Sequence, residues 1–137
     1  MTNEELIIEA KKARQMAYTP YSHFKVGAVL VAKSGKIYYG CTVENASYSV
    51  TNCAERTAFF KAVSEGEREF EKIAIVGGAE GTEADEMCTP CGVCRQVMME
   101  FCNPERFQIV LADGKEKCVQ FSLRELLPYG FGPDNLD

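Results

Sequence analysis

The sequence predicts an α/β fold, a three-layer α/β/α sandwich built on a mixed five-stranded sheet. Three observations predict it. Short apolar runs rich in β-branched residues alternate with stretches whose apolar residues recur at helical spacing. Helices standing between strands require crossover connections, so the central strands are expected to be parallel. The first two strand segments are joined by a tight turn at Ser34-Gly35, which makes an antiparallel hairpin.

The elements follow in order. Thr2-Asn3-Glu4-Glu5 has the capping-box pattern, and Leu6, Ala10, Ala13 and Ala17 follow at helical spacing, predicting a helix over 3–17. Pro20 breaks it and leaves a tyrosine-rich loop. Residues 26–31 are continuously apolar and read as a buried strand, paired through the turn with residues 36–41. Residues 42–52 lack a period and form a connection of the kind that carries functional residues. Cys53 opens a helix with alanines at 54, 58 and 62, ending near Gly66. Residues 72–76 read as a strand, 77–89 as an acidic loop able to shield or gate a pocket, and Cys91 opens a further helix that stops at Asn103-Pro104. Residues 108–112 and 118–121 are the last strands, and Ser122-Leu123-Arg124-Glu125 is a second capping box for a short helix stopped by Pro128.

The 137 residues fit one domain, 1–137, large enough to bury a core without disulfides. With 46% hydrophobic and 26% charged residues the composition is globular, and the longest apolar run, about 26–32, is far short of the roughly 18 residues a membrane span needs. Glu4 and Glu5 are unlike a secretory signal, so cytoplasm is the expected compartment. Seven cysteines, four of them clustered between 88 and 102, suit thiol and metal chemistry in a reducing environment better than a disulfide framework. The net charge of −5, with scattered basic residues, lacks the footprint of a nucleic-acid binder, and a small, weakly charged substrate is expected.

Two segments carry the chemistry. Cys53-Ala54-Glu55-Arg56 and Pro90-Cys91-Gly92-Val93-Cys94 both open helices, where free amides and the helix dipole favour thiolate. Cys53, Cys91 and Cys94 supply the three protein ligands of a catalytic zinc that keeps its fourth position for water. Glu55 is left for proton transfer, and Arg56 to offset the negative charge of three thiolates. The plainer alternatives are a closed four-cysteine structural zinc module completed by Cys88, a first-turn helix acid at Glu55, and a surface charge at Arg56. His23 is not expected to bind the metal.

These two segments, extended by Arg95-Gln96, resemble the small homotetrameric cytidine deaminases of nucleoside salvage. Tyr18-Thr19-Pro20-Tyr21-Ser22-His23-Phe24-Lys25-Val26-Gly27-Ala28, Val43-Glu44-Asn45-Ala46 and Glu125-Leu126-Leu127-Pro128 match as well, so the similarity spans almost the whole chain. The resemblance implies a homotetramer with one zinc ion per subunit, hydrolysing cytidine and 2′-deoxycytidine to uridine and 2′-deoxyuridine with loss of ammonia in pyrimidine salvage. It implies that Cys53, Cys91 and Cys94 hold the zinc, that water activated there attacks C4, and that Glu55 moves its proton to N3 and then to ammonia. The Ala54 amide and Thr89 carbonyl would meet the base, Phe24 would pack on it, and Glu44 would bind ribose hydroxyls. Thr42 stands at a sugar-facing position where the family usually carries asparagine. Tyr48 and Phe131 match positions that reach a neighbouring subunit's site. The rival functions are deamination of another cytosine compound such as blasticidin S, and the structural zinc module.

Overall fold

A computed structural model describes residues 1–136. Helix α1 (Asn3–Arg14) starts at the capping box: the Thr2 hydroxyl accepts from the Glu5 amide and the Glu5 carboxylate accepts from the Thr2 amide, each at 3.1 Å. It ends three residues before the expected 17, because the amides of Gln15, Met16 and Ala17 bond three residues back instead of four and close the helix in turns. Strands β1 (Phe24–Ala32) and β2 (Ile37–Cys41) form the hairpin, α2 (Ala54–Ser64) follows, then β3 (Phe70–Ala79), α3 (Gly92–Phe101), β4 (Gln108–Ala112), β5 (Cys118–Ser122) and α4 (Leu123–Leu126). The second capping box is formed at Ser122, whose hydroxyl accepts from the Glu125 amide at 3.2 Å.

The five strands make one sheet in the order β2-β1-β3-β4-β5. Only β3 and β4 are adjacent and parallel; β1 pairs antiparallel with both β2 and β3, and β4 with β5. The expectation of parallel central strands is thus corrected at β1. The crossovers still obey the rule, since β2, β3 and β4 all run the same way, but β1 is inserted between β2 and β3. As a result Phe24, at the start of β1, lies beside Ala79 at the end of β3, and Gly27 beside Cys41 at the end of β2. The carboxyl ends of the β2 and β3 strands and the amino end of β1 share one edge of the molecule.

Side chains alternate between two cores. On one face Leu6, Ile7 and Ala10 of α1 cover Val29, Ala74, Val76 and Val110. On the other Ala58, Phe59 and Ala62 of α2, Met98 of α3 and Leu123 of α4 cover Leu30, Ile73, Ile75, Ile109 and Leu111. This is the three-layer arrangement. Phe59, fully buried, fixes α2 in place, with ring centroids 5.1 Å from Phe70 and 5.9 Å from Phe107. Such pairs contribute about 0.5–1.5 kcal/mol beyond burial. Gly40 lets α2 approach β2: a Cβ there would stand 2.2 Å from the Ala54 carbonyl oxygen. Among the described residues no helix is long and apolar enough to cross a membrane.

Candidate active site and metal centre

Because α2 follows β2 and α3 follows β3, both helices begin at the edge where those strands end. Cys53 is the N-cap of α2 and Cys91 the N-cap of α3, both with extended backbone, and Cys94 lies one turn into α3. The connection between β2 and α2 is folded back on itself by pairing of Val43 with Asn52, and it contains a short 3-10 turn, Tyr48–Val50, that no periodicity signalled. Thr42, just before this bridge, donates its amide to the Val26 carbonyl, and its carbonyl accepts from the Tyr18 amide. The Thr57 hydroxyl lies 3.1 Å from the carbonyl oxygens of both Cys41 and Cys53, tying the end of β2 to the start of α2.

The three sulfur atoms lie within 4.8 Å of one another, with Cys53 Sγ 3.8 Å from Cys91 Sγ and Cys91 Sγ 3.5 Å from Cys94 Sγ. These separations are far too long for disulfides, which bond at about 2.05 Å. They match a tetrahedral zinc, whose Zn–S bonds of about 2.3 Å put sulfurs about 3.8 Å apart. The donor chemistry fits as well. Hydrogen bonding from the Cys94 thiol and the adjacent Arg56 pulls the Cys53 pKa down to about 5, while the resulting thiolate, together with burial, holds Cys94 protonated far above the usual thiol range. Three sulfurs this close ionise together only around a cation. Cys88 is not part of the cluster: its sulfur lies over Gly77, where a Cβ would be 2.6 Å away, and burial pushes its thiol up to about 11. The cluster as it stands has three sulfurs, one fewer than a closed four-cysteine site requires.

Glu55 sits in the first turn of α2, 4% exposed, and its Oε1 has no hydrogen-bond partner. Burial, with the charge of Cys53, raises its pKa to about 7. A buried carboxyl poised near neutrality beside a metal cluster suits proton transfer. Arg56 Nη2 donates to Cys53 Sγ at 3.2 Å. Burial opposes its charge, but the Cys53 and Cys94 sulfurs outweigh that and hold the guanidinium more firmly protonated than usual. Arg56 is therefore no mere surface charge. Ala54, fully buried, carries one of the first amides of α2, which have no partner within the helix.

The remaining sequence-derived residues differ in exposure and in what holds them. Phe24 is 44% exposed, so it is not a core aromatic. A cleft of about 540 Å³ separates it from Met87 and Cys88, just before exposed Thr89. Glu44 accepts from the Ser22 hydroxyl and from the amides of Ser22 (3.1 Å) and Tyr21 (3.0 Å), and these hydrogen bonds, outweighing partial desolvation, leave its carboxyl more acidic than usual. Thr42 is buried, its hydroxyl 3.5 Å from the Val26 carbonyl. Tyr48 stands 74% exposed with its ring 5.8 Å from that of Tyr21, and Phe131, 57% exposed, is tethered through its carbonyl to Gln96. The acidic segment is not a free flap. Arg14 donates to the carbonyls of Gly78, Ala79 and Thr82, and Lys11 pairs with Asp85 at 2.5 Å, fastening the segment to α1.

Sequence reasoning missed three supports. Tyr21 and Ser22 hold Glu44; Thr57 braces Cys53; and Arg95 joins the Pro90 carbonyl (2.7 Å) to that of Leu126 (2.5 Å), locking the loop before Cys91. Arg95 follows the second cysteine directly, but its distant partner left no trace in local pattern.

The chain matches the family model described as cytidine and deoxycytidylate deaminase zinc-binding region over residues 1–111. It is 50% identical over 136 residues to a cytidine deaminase from Sporosarcina psychrophila, covering 99% of this chain and 96% of that one. It is 44% identical over 137 residues to one from Halalkalibacterium halodurans, covering 100% and 99%. Among solved structures, cytidine deaminase from Burkholderia pseudomallei superposes with a TM-score of 0.85 at 49% identity, covering 96% of this chain and 100% of that one. The enzyme from Mycobacterium tuberculosis gives 0.80 at 35%, covering 96% and 98%.

Proposed function

The chain belongs to the cytidine and deoxycytidylate deaminase zinc-binding family, and on that premise we propose that it hydrolyses cytidine and 2′-deoxycytidine to uridine, 2′-deoxyuridine and ammonia. The observation that carries this is the buried Glu55 carboxyl, its Oε1 without a hydrogen-bond partner, beside the Cys53-Cys91-Cys94 cluster. Cys53, Cys91 and Cys94 would hold zinc, which would supply the Lewis acidity that makes water nucleophilic at neutral pH. Glu55 accepts a proton from the attacking water and hands it to N3 of the pyrimidine; it then takes a second proton from the hydroxyl added at C4 and gives it to the amino nitrogen, which leaves as ammonia while the C4 carbonyl forms. The Glu55 pKa, raised by burial to about 7, suits a group that must both take and give a proton near neutral pH. Arg56 and the two helix N-termini reduce the negative charge that three thiolates would otherwise place on the site.

In this reading the Ala54 amide and the Thr89 carbonyl orient the base, Phe24 packs on its face, and Glu44 takes a sugar hydroxyl, with Thr42 beside it. Tyr48 and Phe131 cover a neighbour's site. Support for a homotetramer comes from the apolar surface around the site, where Phe24, Val43, Tyr48, Val50 and Phe131 are all 44% exposed or more. A measured solution mass of four chains is expected. Seven free thiols, three of them metal-binding, suit the reducing cytoplasm.

The decisive experiment follows ultraviolet absorbance during incubation of zinc-loaded protein with cytidine at neutral pH. Formation of uridine is expected. No turnover of cytidine, or exclusion of cytidine by a blasticidin-type cytosine compound that is itself turned over, would overturn the assignment.

A further inference from the structure

We infer that Ser22 is a positioning residue that sets the orientation of the sugar-binding acid Glu44 and limits it to one free acceptor. The Ser22 hydroxyl accepts from the Phe24 amide at 3.1 Å and donates to Glu44 Oε2. Having accepted from Phe24 N–H, the hydroxyl has its remaining proton directed at the carboxylate. His23, between them, adopts a left-handed backbone conformation with φ 57°, and its amide bonds to the Thr19 carbonyl at 3.1 Å. This turn is what brings the Phe24 amide back onto Ser22. On the other side Glu44 Oε1 accepts from the Tyr21 and Ser22 amides. A carboxylate offers about four acceptor positions. Three are filled by the turn itself, so one remains, on Oε2.

The consequence concerns selectivity. A Glu44 free to rotate could take both hydroxyls of a vicinal diol, whereas one with a single open acceptor engages one hydroxyl and gains little from a second. The buried Thr42 hydroxyl, directed at the Val26 carbonyl, offers no further donor to the sugar. Ser22 thus holds the acid in the form that treats ribose and deoxyribose alike.

This inference rests on the reading of Glu44 as the sugar acid, and the test separates the two. The zinc-loaded parent, Ser22→Ala, Glu44→Ala and the double variant are assayed with cytidine and 2′-deoxycytidine. Loss of a hydrogen bond to a charged group predicts that Ser22→Ala raises the KM for both substrates about tenfold, with kcat within about threefold. The rise is expected to be smaller for cytidine, because the acceptor released on Oε2 can take its second hydroxyl. In the Glu44→Ala background the same substitution should change KM less than about twofold, because the residue it positions is gone. An equal tenfold factor in both backgrounds would show that Ser22 acts on the fold and not through Glu44, and would overturn the inference. A Glu44→Ala variant with unaltered KM would instead refute Glu44 as the sugar acid. Ser22→Thr, which keeps the hydroxyl, should hold KM within about threefold; a tenfold loss there would also refute the role of the hydroxyl.

Discussion

Replacing Glu55 with glutamine keeps the shape of the side chain and removes its capacity to carry a proton, so it should affect function and stability in opposite directions. Loss of a positioned general acid and base costs about 10²–10⁴ in rate. With Glu55 serving two successive transfers, kcat for cytidine is expected to fall toward the upper end, about 5 kcal/mol in activation free energy. Zinc content should stay at one per chain, since Cys53, Cys91 and Cys94, the cluster able to hold it, are untouched. The stability effect is read in chelated, metal-free protein. Burial raises the Glu55 pKa from the ordinary 4.5 to about 7, which at about 1.4 kcal/mol per tenfold change in proton affinity amounts to about 3 kcal/mol. An acid whose pKa is raised in the folded state weakens the fold as pH climbs past its unfolded value, and the penalty is complete above its folded pKa. Metal-free Glu55→Gln should therefore be more stable than the parent by about 3 kcal/mol at pH 9, with the difference fading between pH 7 and 4.5. Zinc analysis, absorbance kinetics and urea unfolding at the two pH values check this. Turnover above a tenth of the parent's with full zinc would refute Glu55 as proton carrier, and equal stability at pH 9 would refute the buried, unpaired carboxyl.

The cysteines separate by metal content: Cys88→Ala should retain one zinc per chain, whereas Cys91→Ala should lose it, as read by atomic absorption after dialysis. Arg56→Gln should keep zinc but lower kcat about tenfold, because the thiolate charge beside the reacting water is no longer offset. Unchanged kinetics would make Arg56 a bystander. Gly40→Ala would drive a methyl to 2.2 Å from the Ala54 carbonyl oxygen and 2.7 Å from the Ala58 nitrogen. It should cost at least about 2 kcal/mol in urea unfolding and lower kcat by shifting the start of α2, where Cys53 and Glu55 sit.

The sequence by itself determined whatever depends on neighbours along the chain. The two capping boxes, the hairpin turn, and the metal cysteines at helix starts are all short-range patterns, and each was formed as expected. The lone Cys53 and the paired Cys91 and Cys94 carry their chemistry in side-chain type and spacing, so the metal set was legible before any fold was known. Tertiary structure decided what depends on distant partners. Insertion of β1 between β2 and β3 placed Phe24 at the edge where both helices start, and no periodicity encodes strand order. Cys88 looks like a possible fourth ligand in sequence, yet its sulfur packs against Gly77 and stands outside the three-sulfur cluster. The acidic segment reads as a mobile gate, but Arg14 and Lys11, more than sixty residues earlier, hold it to α1. How each acid is supplied with donors was likewise settled in three dimensions. Packing leaves Glu55 Oε1 without a partner, while Glu44 takes three hydrogen bonds from a loop about twenty residues before it, because burial and hydrogen-bond supply are properties of the assembled surface and not of the residue.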